Sequence, residues 1–168
     1  MTLQAGKGAV KAMERTLLIV KPDGIARGLV GEIVSRLERK GIFIVGLKML
    51  RLNEGAARRM YSIHEGKHFY EPLIRYITAG PVVAMVAEGK GVTEMVRALA
   101  GPTFGSGAPP GTIRGDLAVS NRYNIVHASD SAESFERERP VFFSEAEIVE
   151  VDPRRLDWIY DTSSGDIV

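Results

Sequence analysis

The hydrophobic positions of this chain change period several times, and each change marks an element. Thr16 to Val20 is a short apolar run of strand type that ends at Lys21-Pro22-Asp23-Gly24, where a proline and an Asp-Gly pair predict a turn. From Leu29 to Lys40 the apolar residues Leu29, Val30, Ile33, Val34 and Leu37 form a helical stripe, with Glu32, Arg36, Glu38 and Arg39 outside it and Gly41 in the C-cap position. Ile42 to Leu50 predicts a second strand. Asn53 is placed to cap a helix through Tyr61, and Phe69 to Ile77 predicts a further helical piece before Gly80-Pro81. Val82 to Val86 predicts a buried third strand, and Val92, Met95, Val96 and Leu99 mark a helix that carries Arg97 and stops before Gly101-Pro102. A long loop rich in glycine and proline then runs to Asp116. A fourth strand ends at His127, a charged helix with Glu133, Glu136 and Glu138 follows, and Trp158 lies in a short C-terminal helical piece. The order β-α-β, helix pair, β-α-β predicts an α+β fold: a ferredoxin-like antiparallel four-stranded sheet with helices on one face and a long loop before the last strand.

At 168 residues and 45% hydrophobic content the chain suits one core of ordinary size. The expectation is a single domain over residues 13–168, extended from about residue 149 and preceded by a flexible leader, residues 1–12, which shows no periodicity. Basic and acidic residues balance, 22 against 21, so bulk charge gives no reason to expect nucleic acid or a membrane surface, and any anion site must be local. The absence of cysteine excludes disulfides, thiolate catalysis and Cys-based metal sites. The longest apolar runs fall far below the roughly 20 residues that span a bilayer. The expected location is cytoplasmic.

Candidate chemistry concentrates around His127. A histidine after Ile125 and Val126 and before the N-cap types Ser129, Asp130 and Ser131 would sit at the end of a strand, facing the N-terminus of the next helix; Asp130 with Glu133 fits a capping box. Ser129 and Glu138 could each hydrogen-bond a ring nitrogen and fix the tautomer, and a neutral imidazole so oriented can attack phosphorus. Lys21, Arg97, Thr103 and Arg114 come from different parts of the chain and could face one anion. Tyr61 and Phe69 flank His64 and His68, and Phe69 could offer its face to a planar ligand. His64-Glu65-Gly66-Lys67-His68 fits the zinc-peptidase pattern H-E-x-x-H literally. A glycine inside that helix costs about 1 kcal/mol relative to alanine, and Lys67 opposes a cation, so the match reads as chance.

Several separated runs then converge on one family. Glu14-Arg15-Thr16 through Lys21-Pro22-Asp23-Gly24, Arg27-Gly28-Leu29-Val30-Gly31-Glu32, Gly80-Pro81-Val82-Val83-Ala84-Met85-Val86, Gly111-Thr112-Ile113-Arg114-Gly115-Asp116 and Asn124-Ile125-Val126-His127-Ala128-Ser129-Asp130-Ser131 resemble nucleoside diphosphate kinase, over about Met13 to Phe143. The resemblance implies ping-pong transfer of the terminal phosphate between nucleoside tri- and diphosphates through a phosphohistidine, with broad nucleobase tolerance. It implies that His127 takes the phosphate while Glu138 and Ser129 orient its ring, that Lys21 contacts the phosphate and ribose with Tyr61 beside it, and that the long loop lies on the phosphate side. Arg97, Thr103 and Arg114 match the family's phosphate ligands, Asn124 its ribose contact and Phe69 its base-stacking ring. It further implies Mg2+ carried by nucleotide phosphates without a protein metal site, and a homohexamer or homotetramer. Ala128, Phe104 and Asn121-Arg122-Tyr123 depart from the family pattern; Asn121 stands where an apolar residue usually clamps the base. A binding module without phosphotransfer is the alternative reading of the same scaffold.

Overall fold

The computed structural model describes residues 13–163 and 167–168, so the leader expected over residues 1–12 lies outside the described residues. In chain order the elements are β1 (Glu14–Val20), α1 (Pro22–Ala26), α2 (Val30–Arg39), β2 (Phe43–Arg51), α3 (Glu54–Met60), α4 (Tyr70–Thr78), β3 (Pro81–Gly89), α5 (Val92–Ala100), α6 (Ile113–Leu117), β4 (Val126–Ala128) and α7 (Ala132–Glu138). The four strands form one antiparallel sheet in the order β2-β3-β1-β4. This is the α+β, ferredoxin-like sheet that the order of elements predicts, but the helices are not confined to one face as expected: α3, α4 and α7 cover the second, because the apolar side chains of the central strands point to both sides.

The central strands read as unbroken apolar runs because both faces of the sheet are covered. On one face Leu18, Val20, Val83, Met85 and Ala87 meet Ile33 and Leu37 of α2 and Val92 and Val96 of α5. These are the two helices of the ferredoxin-like order. On the other, Leu17, Ile19, Val82, Ala84 and Val86 meet Met60 of α3, Ile74 and Ile77 of α4 and Phe135 of α7. The residues after α7 close this second face: Phe142, Phe143, Leu156 and Ile167 are buried there. The tail turns back on its own chain, with Val149 N–H donating to Val45 C=O (2.8 Å) and the Tyr160 hydroxyl accepting from Lys90 N–H (3.0 Å).

Several boundaries move for identifiable reasons. β1 and β3 run past their apolar cores because Arg15 and Glu88 are cross-strand partners joined by an ion pair of 2.5 Å. The turn expected at Lys21 to Gly24 continues as α1, whose Pro22 is preset for a first helical position. The long loop contains α6, capped by Thr112, whose hydroxyl accepts from Gly115 N–H at 2.9 Å. Packing there is tight: a Cβ on Gly115 would stand 2.0 Å from the Pro109 carbonyl oxygen. Gly115→Ala must therefore displace backbone, and a fall in Tm of roughly 5 °C or more is expected in a thermal melt, equivalent to about 2 kcal/mol.

Candidate active site

His127 lies in β4 opposite Ile19, which places it on the face covered by α3, α4 and α7, while Val126 and Ala128 on either side join the opposite core. The chain then turns into α7. The cap of this helix is Ser131, accepting from Ser134 N–H at 3.1 Å, one residue beyond the expected Asp130; Asp130 instead accepts from the Ser134 hydroxyl at 2.5 Å. Nearly two turns on, Glu138 comes back beneath the imidazole. Its Oε2 accepts from His127 Nε2 at 2.7 Å and from the Ser129 hydroxyl at 2.8 Å, and its Oε1 accepts from Arg137 at 3.1 Å. Ser129 thus reaches the ring through the carboxylate, not directly.

This geometry assigns the tautomer. Burial opposes ionisation of Glu138, but the hydrogen bonds from His127 and Ser129 and the charge of Arg137 prevail and hold its carboxyl below the ordinary range. An ionised carboxylate only accepts, so Nε2 carries the proton and, in the neutral ring, Nδ1 keeps the free lone pair. The Tyr61 ring meets the imidazole edge-on, with centroids 5.8 Å apart. The Tyr61 hydroxyl is buried without a hydrogen-bond partner among the described residues. Burial and then the charge of Glu138 push this phenol up, so the hydroxyl remains a donor.

The second half of the site is cationic. Lys21 ends β1 and is 7% exposed; its ammonium donates to Asn124 Oδ1 at 2.7 Å. Burial, then Arg114, push its pKa down to about 7, and Asp23 opposes the shift. Arg114 is held by backbone carbonyls, with Nη1 to Gly101 (2.5 Å), Nη2 to Val126 (2.8 Å) and Nε to Asn124 (3.3 Å). Burial and the neighbouring Arg97 lower it to about 10, which leaves it charged at neutral pH. Neither Lys21 nor Arg114 forms an ion pair among the described residues. Two buried cations without a bound carboxylate make a site that favours an anion.

The remaining candidates frame this centre. Arg97 is exposed on α5, and Thr103 is exposed in the long loop, where its carbonyl accepts from Asn124 Nδ2 at 2.7 Å. The Asn124 side chain is therefore a strut between Lys21 and that loop. Phe69 is half-buried and reaches the centre through His64, with ring centroids 5.4 Å from Phe69 to His64 and 6.2 Å from His64 to Tyr61. Asn121 fastens the loop further out, its Oδ1 accepting from Ser106 N–H (3.2 Å) and the Ser106 hydroxyl (2.7 Å). The zinc-peptidase pattern does not form its helix: Ser62–His64 is a single 3-10 turn and Gly66 has φ +80°. A concavity of about 490 Å³ between Met13, Arg15, Phe135, Arg139 and Leu156 contains none of the candidate residues.

Sequence reasoning passed over three participants. Ile125 has φ +69°, and Val126 N–H donates to Asn124 C=O at 2.7 Å, so Asn124 to Val126 form a γ-turn of the positive-φ kind. For a β-branched residue this conformation costs on the order of 1–3 kcal/mol. Asp23 accepts from Ile125 N–H at 3.1 Å and from the Tyr76 hydroxyl. Nothing in a lone Asp-Gly pair points to that distant turn.

Comparison with known proteins identifies the family. A model of the nucleoside diphosphate kinase family matches residues 14–148. A nucleoside diphosphate kinase of Hyperthermus butylicus is 56% identical over 137 residues, covering 82% of this chain and 96% of the relative. One of Roseiflexus sp. is 50% identical over 149 residues, 89% of this chain and all of the relative. Among solved structures, the Halobacterium salinarum enzyme in complex with CDP superposes with a TM-score of 0.85 at 46% identity, covering 88% of this chain and 99% of that one. A transition-state mimic of the Borrelia burgdorferi enzyme with vanadate and ADP gives 0.79 at 37% identity, covering 84% and 94%. With a family model matched over most of its length, relatives more than half identical and solved structures of the same fold, the chain belongs to the nucleoside diphosphate kinase family.

Proposed function

We propose that this nucleotide phosphotransferase works in two half-reactions through His127. In the first, Nδ1 attacks the γ-phosphorus of a nucleoside triphosphate in line; the N–P bond forms, the bridging P–O bond breaks, and the nucleoside diphosphate leaves with its oxygen. In the second, a terminal phosphate oxygen of another diphosphate attacks the same phosphorus and releases the neutral ring. The observation that carries this reading is the division of the imidazole: Nε2 is committed to an ionised Glu138 and Nδ1 is free. As the ring becomes cationic, Glu138 stabilises the Nε2–H, with Ser129 and Arg137 holding the carboxylate in place.

Lys21, Arg97, Arg114, Thr103 and the unpartnered Tyr61 hydroxyl are assigned to the phosphates, and Asn124 with Lys21 to the ribose hydroxyl. Among the described residues no three His, Cys, Asp or Glu side chains gather to hold a bare ion. Lys21 and Arg114 would repel one, so the donor set suits Mg2+ entering as part of the substrate, bound by phosphate oxygens and water. Phe69 is assigned to stack on the base, and stacking without a reader of base edges gives broad nucleobase tolerance. The CDP and ADP bound to the Halobacterium and Borrelia relatives support a nucleoside diphosphate as ligand. Exposed Leu47 and Met49 on the edge strand β2 support self-association into a homohexamer or homotetramer. No helix of the described residues is long and apolar enough to cross a membrane, and the proposed location is cytoplasmic.

The test is a pulse of γ-labelled ATP with magnesium followed by unlabelled GDP. Acid-labile label on the chain, chased into GTP, supports two transfers; direct ATP-to-GDP exchange with no labelled chain overturns them. A pH dependence follows from Lys21. The ammonium must be protonated to hold phosphate, and its proton is lost as pH rises through about 7 in the free protein. In pH–rate profiles kcat/KM should therefore fall above that pH, whereas kcat should persist to higher pH because bound phosphate favours the charged form.

A further inference from the structure

We infer that Asp23 and Tyr76 are positioning residues for phosphoryl transfer: the Asp23 carboxylate, braced by the Tyr76 hydroxyl, clasps the strained turn at Ile125 and so fixes the offset between Lys21 and His127. The inference rests on the reading of His127 as phosphate acceptor.

β4 is an edge strand of three residues, paired to β1 only at Leu18 with Ala128, Ile19 with His127 and Val20 with Val126. So short a ladder holds β4 with few backbone hydrogen bonds, and contacts just beyond its end bear on where the strand sits. One residue further the regular pairing stops, because Ile125 has φ +69°. Residues 21–23 replace it with a clasp from both sides: Lys21 N–H donates to Ile125 C=O at 2.8 Å, and Asp23 Oδ2 accepts from Ile125 N–H at 3.1 Å. Ile125 is fully buried, so without Asp23 its N–H would have no partner and the residue would have reason to relax to negative φ. Such a relaxation would carry Asn124 with it on one side, and with Asn124 the hydrogen bond to the Lys21 ammonium. On the other side it would move His127, two residues along.

The chemistry of Asp23 argues the same way. A carboxylate close enough to Lys21 to act on its charge weakens attraction for a polyanion, so its presence next to the cationic centre calls for another role. Both its oxygens are engaged, Oδ2 by the Ile125 N–H and Oδ1 by Tyr76, whose phenol is pushed up by burial and by Asp23 and stays a donor. Tyr76 is itself fixed by Tyr123, edge-on at 4.9 Å.

The alternative role for Asp23 is simple charge balance for Lys21, and three variants separate the two. Tyr76→Phe removes the brace and keeps the charge; Asp23→Asn keeps an acceptor and loses the charge; Asp23→Ala loses both. Each is compared with wild type and His127→Ala for the rate of labelling by γ-labelled ATP, steady-state kcat, ADP affinity by calorimetry and Tm. The positioning role predicts kcat and labelling rate about fivefold to twentyfold lower in Tyr76→Phe and roughly a hundredfold lower in Asp23→Ala, with Asp23→Asn between, and ADP affinity within about threefold of wild type throughout. Tyr76→Phe with wild-type kcat, or Asp23→Asn as impaired as Asp23→Ala with an earlier basic limb, overturns it. If Asp23→Ala does not fold, Tyr76→Phe decides alone. Wild type that exchanges phosphate without acquiring label would instead overturn the phosphohistidine reading, while kcat in the three variants still reports on the clasp.

Discussion

His127→Gln is expected to lower kcat for phosphate exchange by at least about four orders of magnitude, or roughly 5.5 kcal/mol of barrier, and to abolish labelling of the chain. Glutamine is a more informative replacement than alanine. Its amide nitrogen reaches about as far as the Nε2 of the ring, which stands 2.7 Å from Glu138 Oε2, so its N–H can donate there, the buried carboxylate keeps a partner and Tm should change by no more than about 3 °C. What it lacks is a nucleophilic nitrogen. A folded His127→Gln protein that binds ADP as wild type does but neither labels nor exchanges would assign the loss to the chemical step. Exchange within tenfold of wild type in that variant would sink the two-step mechanism and favour a nucleotide-binding role for the same scaffold. Glu138→Gln is the softer companion. It keeps an oxygen acceptor for Nε2–H but removes the charge that stabilises the developing imidazolium, so a loss of about 10²-fold in kcat is consistent with one electrostatic contact.

The parts of this fold legible in the sequence are those with enough residues to show a period. The stripe Leu29 to Leu37 gave α2 to within a residue or so at each end, and the apolar runs gave β1, β2 and β3. Where the sequence was silent the cause is physical. α1 and α6 span five residues each, less than two turns, so no stripe can form; they are set by Pro22 and by the Thr112 cap. The polar ends of β1 and β3 are held by the Arg15–Glu88 pair, whose members lie 73 residues apart. That pairing is a property of register and not of either segment.

The same division runs through the site. His127 and Glu138 were readable because strand, turn and helix bring residues of one short segment together. Arg114 was not fully readable. Its match to the family's phosphate ligands implies a side chain turned toward the nucleotide, yet three of its N–H groups go to carbonyls of Gly101, Asn124 and Val126. Backbone acceptors carry no residue-type signature. Asn124, matched to a ribose contact, likewise proves to be tied to Lys21 and Thr103 by groups that sequence spacing cannot reveal.

Arg114→Ala is accordingly expected to damage stability and activity together. A guanidinium has five N–H donors; three serve the backbone here, which leaves two to face a phosphate. Removing the side chain strips a donor from the end of α5, from the γ-turn and from β4 at once. With an unsatisfied buried carbonyl costing about 1–3 kcal/mol and some relaxation into water, a net loss of roughly 3 kcal/mol is expected, seen as a fall in Tm of about 6–12 °C. The lost charge should lower kcat/KM by a further 10²- to 10³-fold, roughly 3–4 kcal/mol. Arg114→Lys separates the two roles. A single ammonium keeps the charge but cannot span three carbonyls in the geometry of the planar fork, so it should recover part of kcat/KM while leaving Tm near that of the alanine variant. Arg114→Ala melting with wild type would mean that the carbonyls find water or one another, and the guanidinium would then act on the phosphate alone. If Tm falls while kcat/KM of the folded protein holds, Arg114 is a brace for the γ-turn and the phosphate charge is carried by Lys21 and Arg97.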